Sequence, residues 1–150
     1  MKRLLLVIVF VLATTVGYAQ EAYIELLRSD VKTKKVAIIT EVMQFTSEEA
    51  NAFWPVYREY DFEFSKLGDA RIALIKDYAQ HYKSMADEKA KKLMKEVFKL
   101  EGKRTKLKKK YFKKLDRVLP SKTVAKFFQL ENQILLLIDL QIASELPLIK

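Results

Sequence analysis

The scarcity of chain-breaking residues constrains this sequence more than any other feature. Of its 150 residues, only three are glycine and three are proline. After residue 19 the glycines are Gly68 and Gly102, and the prolines are Pro55, Pro120 and Pro147. Turns depend on these residue types, so the chain has few places at which to reverse direction. With 31% charged residues and 50% hydrophobic residues, the sequence predicts an all-α fold of four long helices.

Apolar side chains recur at three- and four-residue spacings, which is the period of an amphipathic helix. Residues 21–44 hold the first such stripe. A second helix is predicted from Thr46 to about Tyr82, because "TSEE" matches a capping box in which Thr46 and Glu49 serve each other's backbone donors. Pro55 cannot donate a backbone hydrogen bond, so we expect a kink near it. The stripe of this helix is Phe53, Tyr57, Tyr60, Phe64, Leu67, Leu74 and Tyr78.

Two further helices follow. The third is predicted over roughly residues 86–118, and Pro120 ends the segment. The fourth starts at about Ser121, ends before Pro147, and is apolar nearly all round, so we expect it to be the most buried. Asp139 and Gln141 interrupt its apolar run too early for a bilayer span. The third helix has the apolar stripe Leu93, Val97, Leu100, Leu107, Tyr111, Leu115 and Val118.

Long helices in one short chain predict an extended or cradle-like helical hairpin. Such a thin assembly cannot bury every apolar stripe by itself. We interpret the aromatic stripe of the second helix first as core. A binding face is the alternative, because the hydroxyls of Tyr57, Tyr60 and Tyr78 suit a partly hydrated interface. We therefore expect either a homodimer or an open groove along the second helix.

The first 19 residues have the pattern of a secretory signal peptide. Lys2 and Arg3 precede an apolar run from Leu4 to Val16, and small residues stand at Gly17 and Ala19. We expect cleavage after Ala19, which leaves residues 20–150 as a single helical domain; an uncleaved anchor is the alternative. The sequence contains no cysteine, so neither disulfides nor an acylated cysteine are expected.

A basic run lies in the third helix, within a strongly polarised chain. Residues 83–126 contain 17 Lys or Arg and five Asp or Glu, whereas residues 20–82 contain eight and 11. Because export is predicted, we expect no nucleic acid partner. Acidic or unfolded proteins, an anionic membrane or glycan surface, or plain solvation are the alternatives. The predicted client-binding residues are Lys103, Arg104, Lys106, Lys108, Lys109, Lys110, Tyr111, Phe112, Lys113 and Lys114.

Catalytic and metal-binding patterns have little support. The chain has one histidine, His81, and no Gly-rich phosphate loop or nucleophile elbow. Carboxylate pairs such as Glu48–Glu49 lie at helix starts, where they favour the helix dipole. We therefore predict no enzyme activity, no cofactor and no metal site.

A weak repeat marks three helix starts and carries a family resemblance. "FTSEEANAFW", "MADEKAKKLM" and "LPSKTVAKFF" each place an apolar residue before a polar stretch and paired apolar residues. The first and last copies contain the helix-start residues Phe45, Thr46 and Glu49, and Leu119, Pro120 and Ser121. With a signal peptide and a basic helical chain, they resemble the Leu-Thr-x-x-Gln motif of the Spy and CpxP type of periplasmic stress proteins. This chain has Glu49 and Thr123 where that motif has Gln.

The resemblance implies a periplasmic, curved, cradle-like helical dimer. It implies either ATP-independent binding of unfolded clients on a basic concave surface, or binding of a sensor kinase domain; some relatives bind cations. Our leading hypothesis is a periplasmic chaperone-like protein that binds unfolded or acidic clients through the basic amphipathic helix. The alternatives are an adaptor for a folded envelope protein, such as a sensor domain, and a protein that lies on an anionic envelope surface.

Overall fold

The structure is a computed structural model that describes residues 34–149. The chain divides into two units, Met1–Ile38 and Ile39–Lys150. In the first unit, the described residues 34–38 are helical. The predicted signal peptide and most of the predicted first helix lie outside the described residues.

Four helices account for nearly all of the described chain. Residues 34–43 are helical and are called α1 here. The others are α2 (Ser47–His81), α3 (Asp87–Leu115) and α4 (Ser121–Glu145), with a short 3₁₀ turn at Tyr82–Ser84. Residues 34–149 contain no β-strand. The predicted all-α fold with four helices is therefore confirmed, whereas the predicted dimer stays a prediction.

The capping box predicted at the start of α2 is present. The backbone N–H of Glu49 donates to Thr46 Oγ1 at 3.2 Å, and the N–H of Thr46 donates to Glu49 Oε2 at 3.1 Å. Gln44, with φ of +50°, makes the left-handed turn before it. Phe45 then packs on Phe53, with ring centroids 4.5 Å apart. Local sequence thus fixes where α2 begins and how the chain enters it.

Contacts between helices define the topology of the second unit. Lys110 bonds to Glu63 and Lys89 to Asp77, so α3 runs antiparallel to α2. Thr123 bonds to Glu49, and Arg71 pairs with Asp139, so α4 runs parallel to α2. The three helices form an up-down-up bundle.

Aromatic rings fill the core at one end of this bundle. The ring of Phe127 on α4 lies 4.9 Å from Phe53 and 6.3 Å from Tyr60, and Tyr60 lies 5.4 Å from Tyr111 on α3. Ile39 and Met43 of α1 belong to the same cluster. Tyr57 and Tyr60 are buried here, which confirms the interpretation of the stripe as core at these positions and excludes a partly hydrated interface for them. They pack within one chain because α4 covers the aromatic stripe of α2.

The predictions for the end of α3 and for Pro55 have different outcomes. The third helix ends at Leu115 rather than near residue 118, and Val118 is exposed in the turn instead of lying in the apolar stripe. Pro55 lies inside a continuous α2, and the kink stays a prediction. The helix tolerates the lost hydrogen bond because Phe53, Trp54 and Tyr57 around it are packed against other rings.

By number of buried residues, α4 exceeds α2 and α3, as predicted, but it is not buried all round in its second half. Its buried residues end at Leu135, and beyond them Leu136, Leu137 and Leu140 are 66%, 69% and 68% exposed. The inward residues pack on α2 and α3, but in the described chain no further helix lies over the outward side. None of the helices in residues 34–149 combines the length and apolar character that crossing a membrane requires.

Candidate binding surfaces

The structure separates the ten predicted client-binding residues into three groups. Two are buried in the bundle, three bond to neighbouring helices, and five remain exposed on α3 without such a bond. The first group is Arg104 and Tyr111. The second is Lys108, Lys110 and Lys114, and the third is Lys103, Lys106, Lys109, Phe112 and Lys113.

Arg104 and Tyr111 belong to the bundle interior, so their prediction as surface binding residues is corrected. Tyr111 is 1% exposed and packs against Tyr60. Arg104 is 8% exposed, pairs with Glu101 at 2.9 Å and lies 5.3 Å from the ring of Phe64. The pattern of charges suggested a uniformly basic helix, but these positions share the inward side with Leu100 and Leu115.

Three lysines fasten α3 to its neighbours. Lys110 Nζ lies 3.0 Å from both carboxylate oxygens of Glu63, and Lys114 Nζ lies 2.6 Å from Glu59 Oε2. Lys108 donates to Asn132 Oδ1 on α4 at 2.9 Å. The hydrogen bond from Lys110 lowers the pKa of Glu63, and the hydrogen bond to Glu59 raises the pKa of Lys114. Part of the positive charge of residues 83–126 is therefore paired with carboxylates of residues 20–82 within the same chain.

The outward side of α3 carries the main candidate surface, which we call the lysine ridge. It runs from Lys91 to Lys113, 23 residues, and is about 33 Å long at a rise of 1.5 Å per residue. Within the described chain, only Lys99 has an ion pair, at 3.6 Å from Glu96, and the other seven make neither a hydrogen bond nor an ion pair. The ridge consists of the exposed residues Lys91, Lys92, Lys95, Lys99, Lys103, Lys106, Lys109 and Lys113.

Apolar side chains border the ridge on the same helix. Phe98 is 68% exposed. Met94 lies one turn before it and Phe112 lies nearer the end of α3, and both are also exposed. Gly102, one turn after Phe98, is exposed, and a methyl group there would meet nothing within 4 Å. A partner lying along the ridge would therefore meet positive charge and exposed aromatic surface together.

The second exposed surface is the outward side of α4, which we call the leucine face. Its centre is formed by Leu136, Leu137 and Leu140. Gln129, Gln133 and Ser144 extend it along the helix, and all three are exposed and uncharged. The sequence suggested this apolar segment but assigned it to the core.

A buried carboxylate was missed by sequence reasoning. Glu131 on α4 is fully buried, and its Oε1 accepts a hydrogen bond from Tyr60 Oη at 2.9 Å. Burial and the nearby charge of Glu131 raise the pKa of Tyr60 well above its usual range. The signal was available, because Glu131 stands four residues after Phe127 and four before Leu135, on the apolar side of α4.

The predicted helix-start residues have structural roles in this fold. Thr46 and Glu49 form the capping box, and Glu49 Oε1 also accepts from Thr123 at 2.9 Å. At the start of α4, Leu119 is buried, and Ser121 donates to Asp116 at 2.7 Å. Pro120 precedes the helix without a side-chain cap. These contacts within the chain explain both copies of the helix-start motif, and neither explanation requires a bound partner.

Metal ligands are not clustered in the described part of the chain. Residues 34–149 contain no group of three or more His, Asp or Glu placed to hold an ion. His81 ends α2, and its Nδ1 lies 2.7 Å from the carbonyl oxygen of Asp77. His81 therefore belongs to the C-terminal turn of α2.

Comparison with known proteins adds no assignment. The sequence matches no protein-family model and no curated protein, and no solved structure matches it. The resemblance to the Spy and CpxP type therefore stays a prediction, and any function has to be argued from the surfaces themselves.

Proposed function

We propose that this protein is an exported, ATP-independent chaperone-like protein that captures acidic, partly unfolded polypeptides on the lysine ridge. The observation that carries this proposal is the ridge itself: eight exposed lysines follow one side of α3, and within the described chain only Lys99 forms an ion pair. Location in the periplasm follows from the predicted signal peptide and is part of the same proposal.

The positive charge of the lysine ridge can attract acidic polypeptides by long-range electrostatics. Like charges spaced along one helix destabilise it slightly. Contacts with neighbouring helices do not explain the ridge, because Lys108, Lys110 and Lys114 make those contacts. Such a surface raises the encounter rate with acidic chains, and its effect weakens as salt shortens the screening length. Charge therefore gives the first contact, and it selects for acidic segments.

Affinity in this proposal comes from the apolar side chains beside the ridge. Phe98 and Met94 offer exposed apolar area within reach of Lys91 and Lys95. Unfolded polypeptides present both carboxylates and apolar side chains, whereas folded acidic surfaces present mainly the former. A combined surface therefore favours unfolded clients over folded acidic proteins.

The test follows aggregation of an unfolding, mildly acidic client by light scattering, without ATP, at low and high salt. We expect suppression near stoichiometric ratios that weakens with salt. Replacing Lys106, Lys109 and Lys113 with Gln should slow capture severalfold. Replacing Lys66, Lys83 and Lys122, which are exposed off the ridge, removes the same charge and should change capture little.

Other outcomes would point to the alternative functions. Absence of suppression at any salt, with saturable capture of one envelope protein in a pull-down, would replace the proposal with an adaptor. Sedimentation with vesicles that contain anionic lipid, lost in the Lys106, Lys109 and Lys113 variant, together with no effect on client aggregation, would assign the ridge to an anionic envelope surface.

A further inference from the structure

The lysine ridge has a regular period that attraction by charge alone does not require. Most of its lysines follow alternating intervals of three and four residues, and Gly102 stands at the remaining position of that line. Such a line repeats every seven residues and therefore stays on one side of the helix with little drift. We call it the heptad line, and it consists of the exposed residues Lys92, Lys95, Lys99, Gly102, Lys106, Lys109 and Lys113.

Apolar side chains form a second line beside the first. Met94, Phe98 and Phe112 are exposed, and each directly precedes a lysine of the heptad line. Successive helical residues are about 100° apart around the axis, so these three side chains lie along one edge of the line. The rings of Phe112 and Phe128, with centroids 5.9 Å apart, place that edge on the α4 side. A partner along α3 would meet positive charge at the centre and apolar surface at this edge.

The spacing of the heptad line favours a helical partner over an extended one. Along the axis its positions are alternately about 4.5 and 6 Å apart, at a rise of 1.5 Å per residue. A partner helix with acidic residues at the same three- and four-residue intervals would match every position over about 32 Å. On one side of an extended strand, side chains recur every ~6.6 Å, so six intervals would overrun the line by about 8 Å.

Gly102 lies at the middle of the heptad line and allows a second helix to approach closely. An added methyl group there would meet nothing within 4 Å, so no close contact within the chain requires a glycine. Glycine inside a helix is entropically unfavourable, and one of its uses is to let another molecule come near the backbone. A partner helix that crosses the line at its centre would use this position.

Repulsion between like charges gives a further reason for two helices to pair here. Lysines four residues apart, such as Lys95 and Lys99, destabilise α3 slightly, and an acidic line on a partner helix has the same effect on that helix. Placing the two lines side by side relieves both repulsions, so the partner segment gains helical structure as it binds.

We propose that the lysine ridge binds an amphipathic segment of its partner as an α-helix. The acidic side chains of that segment follow three- and four-residue intervals along the heptad line, and its apolar side lies against Met94 and Phe98. This inference rests on the proposed function, and it specifies the sequence pattern and the conformation of the client segment that is bound.

Two synthetic peptides of identical composition test the inference on the full chain, expressed and purified after export. One peptide places Glu at alternating intervals of three and four residues beside a line of Leu, and the other places Glu at every second residue. Fluorescence anisotropy at low salt measures affinity, and circular dichroism measures helicity. We expect the first peptide to bind at least tenfold more tightly and to gain helicity on binding.

Lysine substitutions separate a fitted helix from general attraction. Replacing Lys99 and Lys106, on either side of Gly102, with Gln should weaken binding of the first peptide at least fivefold. Replacing Lys83 and Lys122 with Gln removes the same charge from exposed positions off the ridge and should weaken binding less than twofold.

A glycine substitution tests the close approach of the partner helix. Gly102→Gln should weaken binding of the first peptide at least fivefold without lowering Tm, because the larger side chain has open space in the free protein but would obstruct a partner. Gly68→Gln is the control, since Gly68 has the same open surroundings on α2, and it should leave binding unchanged.

Several results would overturn the helical fit. Equal affinity for the two peptides, binding without a gain in helicity, or a Gly102→Gln variant that binds like the natural chain would each do so, and each would leave the proposed function standing. Failure of both peptides to bind would also overturn it, and the aggregation assay then decides separately whether the proposed function falls.

Discussion

The two ends of the α2–α3–α4 bundle differ in how completely they bury the same kind of side chain. At the end nearest the capping box, which we call the aromatic end, Phe53, Tyr60 and Phe127 are buried. At the other end, which we call the open end, α2 has no buried residue after Tyr60, and Leu136, Leu137 and Leu140 of α4 are exposed. Apolar composition alone therefore does not decide burial.

The number of covering helices explains this difference. At the aromatic end, Ile39 and Met43 of α1 join the core, and Lys126 Nζ donates to the Val42 carbonyl at 2.7 Å. At the open end, Leu93 and Leu100 of α3 are buried, but polar pairs such as Arg71–Asp139 and Lys89–Asp77 form part of the contact between helices. Three helices bury only their facing sides, so outward apolar residues there stay available to partners.

The largest expected effect comes from removing a ring at the aromatic end. Phe127→Ala should lower the free energy of unfolding by about 3–5 kcal/mol, because it deletes a buried ring that contacts Phe53, Tyr57 and Tyr60. Phe62→Ala should change it by at most about 0.5 kcal/mol, because Phe62 is exposed. Urea denaturation measures both, and equal losses would contradict the contrast between buried and exposed rings.

A smaller effect is expected from the hydrogen bond to the buried carboxylate. Tyr60→Phe should cost about 1–3 kcal/mol, because it removes a hydrogen bond to buried Glu131. Tyr82→Phe is the control, since Tyr82 lies at the open end and is only half-buried. A double-mutant cycle with Glu131→Gln should show coupling between positions 60 and 131; additive losses would mean that the bond contributes little.

A modest gain is expected at Gly102. Gly102→Ala should stabilise the protein by about 0.5–1 kcal/mol, because helical glycine is entropically costly and the added methyl group meets nothing within 4 Å. Gly68→Ala has the same open surroundings in α2 and should give a similar gain. Thermal unfolding checks both variants. A loss at Gly102 alone would show that its surroundings in solution are more crowded than the structure indicates.

The smallest effect is a pH dependence of the contact between α2 and α3. The pKa of Glu63 is lowered from its ordinary 4.5 by the hydrogen bond from Lys110, so its contribution is present above about pH 4.5 and is lost as pH falls below it. The pKa of Lys114 is raised from 10.5, so its contribution is lost only as pH rises above that value.

Thermal unfolding across pH tests this dependence. The difference in Tm between the natural chain and Glu63→Gln should shrink below pH 4.5, whereas Glu145→Gln, an exposed carboxylate at the end of α4, should show no such trend. A difference that is constant with pH would mean that the contact with Lys110 is not ionic in solution.

Local features of this chain could be predicted from sequence because they depend on near neighbours. The capping box of Thr46 and Glu49 requires two residues three positions apart, and α4 begins at Ser121, directly after Pro120, which has no backbone N–H to satisfy and a fixed φ. The lysines at positions 106, 109 and 113 were predicted on a basic surface, and they lie on it. Their function stays a proposal.

Other parts of the candidate surfaces could not be predicted, because they depend on residues distant in sequence. Lys110 and Lys113 look alike in the sequence, yet Glu63 from α2 binds the first and leaves the second exposed. Tyr111 lies among lysines in sequence but packs against Tyr60 in the core. Only the pairing of helices separates these residues.

The sequence by itself determined that the described chain is helical, where α2, α3 and α4 begin, and that α3 is basic, because helix period, capping and charge are local properties. The tertiary structure alone decided which lysines form the ridge, which carboxylate is buried and which leucines are exposed. The physical reason is that periodicity tells which residues share a side of a helix, whereas burial depends on how many other helices cover that side.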